Sequence, residues 1–505
     1  MSTPVTTDLK QNIAAFERLF SDCADIKKRT MKLGRELKTE CFLAYVEAAV
    51  GNMILGDSVL GKLLNTLWEM PEDKILRYLR ENSLGISDVT EYKTMEEAAD
   101  GLLTGDAVFF IDGYDRALKI ADKGYPNMGI KEPESEKVVR GSNEGFTESI
   151  KVNTALIRKR LRTPGVKVRE SMAGKRSHTN VDLVYMEDLI RPGLLTAIEE
   201  RLSDFEIDGV LDSGIIEQLT EGSWFSPFPQ FQTTQRPDRA AMAILEGRMV
   251  LLTDNSPVAL ILPAGYNSFI QTSDDYYSRW EIASFTRMLR YAASFLAMTL
   301  PGLYLAVTNF HTQLLPTDLL LSFASARQGV PFPAVVEILL MELAFELLRE
   351  AGVRLPGNMG NTIGIVGGLI IGQAAVEANI VSPIVVIIVA LTALCSFAIP
   401  NEEFATAFRL LKFVFIFMCG WLGFFGFLLS LLAVLVHLSQ LKSFGMPYLT
   451  PFVGPDLNRY TDERDTLLRL PLGWLRRRPI YTREGARIRL KTTGNKTIMN
   501  KDHHK

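Results

Sequence analysis

Long stretches without charge are the strongest constraint on this 505-residue chain, and they lie in its C-terminal half. No charged residue occurs over residues 291–317 or 413–439. Over residues 361–400 the single charged side chain is Glu377. A bilayer core of about 30 Å requires about 20 apolar helical residues, so these stretches are typical of membrane spans. The sequence therefore predicts a soluble N-terminal half joined to a helical membrane half.

The average composition hides this division. Charged residues make up 22% of the chain and the mean hydropathy is only +0.11, as in a soluble multidomain protein. The net charge of −3 gives no support to nucleic-acid binding. The N-terminus, MSTPVTTDLKQNIAAFERLF, lacks the short apolar core and small-residue cleavage site of a signal peptide. We therefore expect the soluble half to stay in the cytoplasm.

None of the common catalytic or ligand-binding motifs is present. The four cysteines, Cys23, Cys41, Cys395 and Cys419, show no CxxC spacing, so neither a disulfide framework nor a zinc site is indicated. The chain also has no GxGxxG after a predicted strand, no phosphate-loop lysine, no GxSxG and no HExxH. We expect no enzyme activity, no catalytic residue, no cofactor and no metal.

The soluble half is predicted to contain two α/β subdomains. Residues 1 to about 30 look helical, with Phe16 and Phe20 in an apolar stripe, and are predicted to form an N-terminal arm. Strand-like and helical runs alternate after it, and Asp112-Gly113 is typical of a hairpin turn. The arm and the first α/β subdomain are assigned to residues 1–143.

The second α/β subdomain is assigned to residues 144–285. A helix is predicted over Glu144–Leu161, and Pro164 ends it. The runs VKVRESM and SHTNVDLVYM have the character of strands, and PGLLTAIEERLSDF begins a helix with a proline. The basic residues of the first helix form either a solvated face or a contact with anionic lipid headgroups. They are Arg158, Lys159, Arg160 and Arg162.

Three blocks of sequence resemble the A subunit of the GerA-type spore germination receptors. They are EGFTESIKVNTALIRKRL, the segment from Phe228 to Ala264, and LLPTDLLLSFASARQGVPFPAVVEILLMELAFELLREAG. The likeness covers residues 141–454 in the same order, and the paralogous stage V sporulation AF-type subunit shares these blocks. RPDRAAMAILEGR, inside the second block, is also explained as a capped helix, with Asp238 in its first turn and Gly247 as its stop.

The resemblance implies a protein of the spore's inner membrane that acts with B and C subunits to sense nutrients. It also implies a homo-oligomeric channel for monovalent cations, gated through the partner subunits. The alternative is a non-conducting membrane scaffold that recruits germination partners through its soluble domain.

Basic residues predict that both ends of the chain lie in the cytoplasm. Residues 441–505 carry fourteen Lys or Arg against six Asp or Glu, and such an excess marks cytoplasmic segments. Arg279, Arg287 and Arg290 favour the same side for the N-terminal domain. The membrane region is therefore assigned to residues 286–440, with an even number of spans and a basic tail after it. The four candidate spans are Tyr291–Phe310, Asn361–Ala378, Ile380–Ile399 and Phe413–His437.

A fifth helix, predicted over residues 331–352, is apolar but carries several charges. At 100° per residue Glu342, Glu346 and Arg349 lie within about 60° of one another and share a face. A carboxylate facing hydrocarbon costs at least about 2.5 kcal/mol, so we expect this helix to be re-entrant, interfacial or turned towards water. Glu342 and Glu346 then form either acidic rings around a cation pathway or a salt-bridge network with Arg349 and Arg354.

Glycines recur every four residues along the second apolar stretch, at Gly360, Gly364, Gly368 and Gly372. Small residues at this spacing let helix backbones approach closely in a bilayer. The groove they form packs either against another copy of the chain or against a neighbouring helix of the same chain, such as that over 380–399. The polar residues of this stretch need water or polar partners, which fits a bundle interior or a pore. They are Asn361 and Gln373. Glu377, the single charge of the stretch, indicates either a functional position or, because it stands close to the turn 379–383, a side chain that reaches the membrane interface.

Overall fold

The computed structural model describes residues 3–47, 59–80, 89–120, 132–133, 136–138, 140–354, 359–453 and 462–490. Contacts between residues divide the chain into two compact units. The first comprises Met1–Gly222, Phe231–Pro263 and Leu475–Lys505, and the second comprises Ser223–Gln230 and Ala264–Trp474. The chain therefore returns to the first unit after it has passed through the second.

The first unit begins with an α/β subdomain built on a five-stranded antiparallel sheet. Its elements are α1 (Leu9–Leu19), β1 (Ile26–Leu33), β2 (Thr39–Val46), α2 (Val59–Glu69), α3 (Glu72–Arg80), β3 (Val89–Tyr92), α4 (Met95–Leu103), β4 (Ala107–Ile111) and β5 (Ala117–Ile120). The strand order is β1-β2-β4-β5-β3. The hairpin turn at Asp112-Gly113 is confirmed, because β4 pairs with β5 across it and Gly113 has a φ of 80°.

The first 30 residues belong to this subdomain and do not form a separate arm. Asp8 caps α1 by accepting a hydrogen bond from the backbone N–H of Lys10. Phe16 and Phe20 are buried in the subdomain core, where the ring of Phe16 packs edge-on against Phe42. The helical prediction for residues 1 to about 30 is wrong from Ile26 onwards, because β1 pairs with β2 along its whole length and this pairing overrides the local preference.

The second α/β subdomain is also built on a five-stranded antiparallel sheet. Its elements are α5 (Ile150–Arg160), β6 (Val166–Ala173), β7 (Thr179–Met186), α6 (Leu194–Ser203), α7 (Ser213–Thr220), β8 (Gln232–Thr234), α8 (Pro237–Leu245), β9 (Met249–Thr253) and β10 (Ala259–Leu262). Both predicted strands are present as β6 and β7. The predicted helix Glu144–Leu161 begins later, at Ile150.

The two subdomains are internal repeats of one another. The second sheet has the order β6-β7-β9-β10-β8. Adding five to each strand number of the first sheet gives the same order, so equivalent strands occupy equivalent places. In both repeats an asparagine of the first helix closes the turn that precedes it. Asn12 Oδ1 accepts a hydrogen bond from the Thr6 backbone N–H at 2.9 Å, and Asn153 Oδ1 accepts one from the Thr147 N–H at 2.7 Å. This turn explains why α5 begins after Ser149.

The second unit is mainly helical. Its helices are α9 (Tyr266–Ile270), α10 (Asp274–Tyr277), α11 (Trp280–Leu305), α12 (Thr317–Ala326), α13 (Ala334–Arg354), α14 (Met359–Glu377), α15 (Pro383–Phe397) and α16 (Glu402–Gln440), followed by the short strands β11 (Lys442–Ser443) and β12 (Met446–Pro447). A π-helical turn, Ala306–Phe310, extends α11. Among the described residues two helical segments are long and apolar enough to cross a membrane, Trp280–Phe310 and Glu402–Gln440.

A sharp turn at Gly423 folds α16 back on itself. Gly423 has φ 60° and ψ −137°, which interrupts the helix between two arms. The ring of Phe415 in the first arm lies 5.8 Å from that of Phe427 in the second. A Cβ on Gly426 would overlap the carbonyl oxygen of Met418. The stretch predicted as one span, Phe413–His437, therefore contains a helical hairpin.

The segment after Trp474 packs on the second α/β subdomain. Leu475 and Ile480 are buried there, and the side chain of Thr482 donates a hydrogen bond to the carbonyl oxygen of Glu246 at 2.7 Å. The guanidinium of Arg248 lies over the ring of Tyr481, 5.0 Å from its centroid. We call residues 475–490 the C-terminal strap.

Candidate functional site: the charged cluster of α13 and α16

A chain of alternating charges joins α13 to α16 inside the second unit. Three acidic and three basic side chains take part, so the cluster is neutral as a whole. They are Glu342, Glu346 and Arg349 from α13, and Glu402, Arg409 and Lys412 from α16. The helical spacing of Glu342, Glu346 and Arg349, which predicted one polar face, is what brings them to the same side of α13.

The inner end of the cluster is almost completely buried. Lys412 Nζ lies 2.5 Å from Glu342 Oε2 and 3.2 Å from Glu346 Oε1. Glu342 is 2% exposed and Lys412 is 4% exposed. A buried carboxylate needs a compensating charge, because desolvation of an unpaired ion costs several kcal/mol. Lys412 supplies that charge from within the same chain.

The outer end of the cluster is more open. Arg409 bridges Glu346, at 3.3 Å, and Glu402, at 3.1 Å. Arg349 approaches Glu402 at 2.7 Å and also donates a hydrogen bond to Ser396 Oγ. A salt-bridge network is therefore present, but its pairs differ from the expected ones: Arg349 pairs with Glu402, while Glu342 and Glu346 pair with Lys412 and Arg409. The side chain of Arg354 lies outside the described residues.

Glu337, also on α13, is held separately from this cluster. It is 0% exposed and lies 3.2 Å from Arg327. Its Oε2 accepts a hydrogen bond from the backbone N–H of Ser382 at 2.9 Å, at the start of α15. Glu337 therefore fastens α13 to the turn that precedes α15.

Sequence reasoning missed the partners from α16. Glu402, Arg409 and Lys412 were not singled out, although their spacing of seven and three residues places them on one helical face. Lys412 also stands immediately before the charge-free stretch 413–439. The ion pair of Lys412 with Glu342 could have been inferred from two features together. One is a lysine at the edge of an apolar run, and the other is a set of carboxylates on another apolar helix.

The polar residues of α14 do not join this cluster. Gln373 donates a hydrogen bond to Glu377 Oε1 at 3.0 Å, one helical turn further on, and both side chains are exposed. Ile370, on the same face, is 60% exposed. Asn361 lies in α14, but its side chain is outside the described set. An exposed glutamine and glutamate therefore interrupt an otherwise apolar helix face.

The described glycines of α14 pack against helices of the same chain. A Cβ added to Gly368 would lie 3.4 Å from Cε1 of Phe345 on α13. One added to Gly372 would lie 3.2 Å from Cγ1 of Val386 on α15. The sequence left two alternatives open, packing against another copy of the chain or against a neighbouring helix of the same chain. These two glycines follow the second. Gly360 and Gly364 also lie in α14, in the part where the structure does not describe the surroundings of the side chains.

Arg158 is buried, so the expected solvated basic face is wrong for this residue. It is 1% exposed, and its guanidinium makes a two-pronged contact with Asp25, at 2.7 and 2.9 Å. Lys159 and Arg160 both pair with Glu144. The Arg158–Asp25 pair joins the two α/β repeats of the first unit.

Asp182 lies near this junction and is 8% exposed. Burial raises the pKa of its carboxyl to about 7, and the hydrogen bond that it accepts from Thr154 Oγ1 at 2.9 Å opposes the rise only in part. Neighbouring carboxylates, including Glu170 and Asp25, act in the same direction as burial. In the described part of the chain no group of His, Cys, Asp and Glu side chains could hold a metal ion.

Duplicated α/β subdomains in one unit and long apolar helices in the other define the class of the protein as membrane-associated. The family model of the Bacillus/Clostridium GerA spore germination protein matches residues 14–481. The chain belongs to this GerA family of spore germination proteins, which confirms the resemblance noted in the sequence. It is a family of germinant receptor subunits and not a known enzyme family.

Curated relatives match along almost the whole chain. It is 37% identical to the Spore germination protein KA of Bacillus subtilis (strain 168), over 99% of this chain and 92% of that protein. It is 40% identical to the Uncharacterized membrane protein YfkQ of the same strain, over 94% of this chain and 91% of that protein. The Spore germination protein GerLA of Bacillus cereus is 40% identical, over 81% of this chain and 83% of that protein.

One solved structure is also similar to this chain. It is the crystal structure of the N-terminal domain of the A subunit of the Bacillus megaterium spore germinant receptor GerK3. The sequences are 26% identical, the match covers 53% of this chain and 98% of that one, and the TM-score is 0.41.

Proposed function

We propose that this protein is the membrane subunit of a nutrient-responsive germinant receptor, and that several copies assemble around a pathway for monovalent cations. The pathway opens when the B and C partner subunits respond to a nutrient. The protein lies in the inner membrane of the spore, with both termini on the cytoplasmic side. Membership of the germination family supports the receptor role.

The exposed pair of Gln373 and Glu377 carries the proposal of a pathway. A glutamate facing hydrocarbon is costly, so this face of α14 must meet water or protein. Ile370, one turn earlier in α14, lies on the same face and is also exposed. Assembly of several copies with this face turned inwards gives a wet lumen with a ring of carboxylates, the arrangement that selects cations in many channels.

The charged cluster has a separate part in the proposal. Glu342 is compensated by Lys412, but its Oε1 accepts no hydrogen bond from any residue that the structure describes. Glu346 is more open, with its side chain 28% exposed. In this proposal the buried Glu342 holds α13 against α16 through Lys412, and the more open Glu346 is the carboxylate of the cluster that a cation approaches.

The same cluster also favours the second candidate function, a non-conducting scaffold. A neutral network buried inside one chain holds two helices together whether or not ions pass nearby. Under this alternative, the exposed face of α14 contacts a partner protein and no lumen forms.

Flux through liposomes tests the two functions. The full chain, alone and with co-expressed B and C subunits, is reconstituted and the release of potassium and sodium is followed after addition of nutrients. We expect nutrient-dependent release from liposomes that contain all three subunits, and a large loss of release in Glu377→Gln. Glu206→Gln, which changes a surface carboxylate paired with Lys175 in the first unit, is the matched control.

The mass of the purified particle completes the test. A channel requires several copies of this chain in one particle, whereas a scaffold does not. Absence of flux from a complete and correctly assembled receptor, together with an unchanged response of Glu377→Gln in spores, would establish the scaffold instead.

A further inference from the structure

An aromatic loop, residues Ser223–Gln230, packs against the open end of the α16 hairpin within the second unit. Phe228 is 2% exposed, and its ring lies 5.7 Å from that of Phe408. The Ser226 hydroxyl and His437 Nε2 are hydrogen-bonded at 2.8 Å. Phe408 belongs to the first arm of α16 and His437 to the second. The loop is therefore held at a defined place between the two arms.

The two residues before this anchor point outwards. Trp224 is 75% exposed and Phe225 is 100% exposed. Large aromatic side chains gain about 25 cal/mol for each Å² of apolar surface that leaves water, so a rigidly presented pair of this kind indicates a binding surface. The buried Phe228 lies three residues after Phe225, so the exposed pair stands next to a fixed point of the loop.

A groove of about 310 Å³ opens beside the pair. Its walls come from both arms of the hairpin and are mostly apolar, including Leu411, Val414, Leu429 and Val434, and Phe225 of the loop also lines it. Ser430 and His437 are its polar members, and His437 lies at the end next to the loop. The groove is thus apolar along its length with a polar group at the loop end.

The surface that surrounds the groove identifies its occupant. No charged residue lies in either arm between Phe413 and Gln440, and the apolar stretch of α16 has the hydropathy of a membrane-embedded helix while most of it is exposed. Trp421, near the tip of the hairpin, is 79% exposed. Such a surface is covered by the hydrocarbon of a bilayer. The groove is open to the same hydrocarbon.

We propose that the loop Ser223–Gln230 and the groove behind it form a lipid-binding site. An acyl chain of a bilayer phospholipid lies in the groove, and Trp224 and Phe225 insert at the boundary between the headgroups and the acyl chains. Tryptophan is favoured at this depth because its ring is apolar while its N–H finds water or headgroup acceptors. The inference rests on the membrane location in the proposed function, and on neither ion conduction nor assembly.

Quenching of single tryptophans in nanodiscs tests the site. In the full chain, four of the five tryptophans are replaced by phenylalanine, so that Trp224 alone remains, and phospholipids carry bromine either near the glycerol or near the end of the acyl chain. We expect Trp224 to lose most of its emission with bromine near the glycerol and much less with bromine near the chain end. Aqueous iodide should quench it weakly.

Two matched variants distinguish the possible failures. A chain with Trp421 alone reports the apolar hairpin and should be quenched by brominated lipid. A chain with Trp68 alone reports the first unit, where that residue is 56% exposed, and should respond to iodide only. In a third variant, Phe225→Asp added to the Trp224 chain should shift the emission to the red and weaken the lipid quenching, while Phe228 keeps the fold.

The outcomes are decisive in each direction. If Trp421 responds to brominated lipid but Trp224 responds only to iodide, the lipid site is wrong and the membrane location stands. If neither tryptophan responds to lipid, both are wrong. If Trp224 is shielded from lipid and from iodide once the B and C subunits are present, the loop binds a partner protein and the lipid proposal is overturned.

Discussion

The ammonium of Lys412 lies 2.5 Å from Oε2 of Glu342, and both side chains are almost completely buried between α13 and α16. This contact determines how much of the charge on α13 is available to other molecules. Glu342 is already compensated within its own chain, whereas Gln373 and Glu377 of α14 are exposed, and among the residues that the structure describes Gln373 donates its hydrogen bond to Glu377. The two sets of polar residues therefore have different roles.

Removing Lys412 should destabilise the helical unit strongly. In Lys412→Met the carboxylate of Glu342 remains buried without its main counter-charge, at a cost of about 3–5 kcal/mol in the free energy of unfolding. The double variant with Glu342→Gln should recover much of this loss, because no charge is then left uncompensated at that position. Titration of the purified protein from mild detergent into SDS measures both changes.

An exposed pair provides the comparison for this experiment. Arg169 and Glu199 are ion-paired in the first unit, with side chains 42% and 39% exposed. Breaking such a pair in Arg169→Met should change the free energy of unfolding by less than about 1 kcal/mol. Equal effects of Lys412→Met and Arg169→Met would contradict the buried pairing.

The cluster could be predicted only in part, for a physical reason. Glu342, Glu346 and Arg349 share a helix face, and helical spacing alone brings them together. Lys412 comes 70 residues after Glu342, and which helix packs against α13 depends on the tertiary fold rather than on a local pattern. The sharp turn at Gly423 was missed because no charge or proline marks an end within the apolar run, and the glycines at 420, 423 and 426 are equally typical of close packing between helices.

The α/β repeats were more accessible to sequence analysis. Alternating strand-like and helical runs predicted two subdomains, and both sheets are present. Their repetition was not recognised, because few residues are shared between the repeats. Thr6 and Asn12 of the first turn correspond to Thr147 and Asn153 of the second, but the sequences around these residues differ. The N-terminal arm was predicted wrongly, since the apolar stripe of α1 covers the first sheet.

Asp182 should make the stability of the protein depend on pH. Its pKa is about 7 in the folded state because of burial, and about 3.9 in an unfolded chain. Between these values the folded state binds the proton and the unfolded state does not, so stability falls as pH rises from about 4 to about 7 and levels off above that. Thermal unfolding across this pH range measures the effect.

The variant Asp182→Asn should remove this contribution. Its amide oxygen can still accept the hydrogen bond from Thr154, and no charge has to be buried at neutral pH. We expect a gain of about 1–3 kcal/mol near neutral pH relative to the natural chain, and a smaller gain in acid. Asp208→Asn, at an exposed carboxylate of the same subdomain, is the control and should leave the pH dependence unchanged.

Gly247 should be required for docking of the C-terminal strap. Its φ is +82°, and a Cβ there would lie 2.7 Å from Cα of Thr482 and 2.9 Å from the carbonyl oxygen of Leu189. Gly247→Ala should release the strap and expose the arginines at 476–478 to trypsin. Gly193→Ala is the matched control, because Gly193 has a φ of +83° but nothing within 4 Å. If trypsin cleaved both variants equally fast, backbone strain of about 1–2 kcal/mol would explain the release of the strap. The close approach of Thr482 and Leu189 to position 247 would then play no part.

Gly426 should be essential for the α16 hairpin. Any side chain at this position meets the carbonyl oxygen of Met418, which belongs to the opposing arm and cannot move as a flexible side chain would. We expect Gly426→Ala to give little monodisperse protein, since overpacking of this kind costs about 1–3 kcal/mol or more. Size-exclusion profiles of tagged protein in detergent measure the yield. Gly473→Ala, at a glycine of the same unit with nothing within 4 Å of the added Cβ, should behave like the natural chain. A normal profile for Gly426→Ala would mean that the two arms do not approach so closely, and α16 would then be a longer and straighter helix.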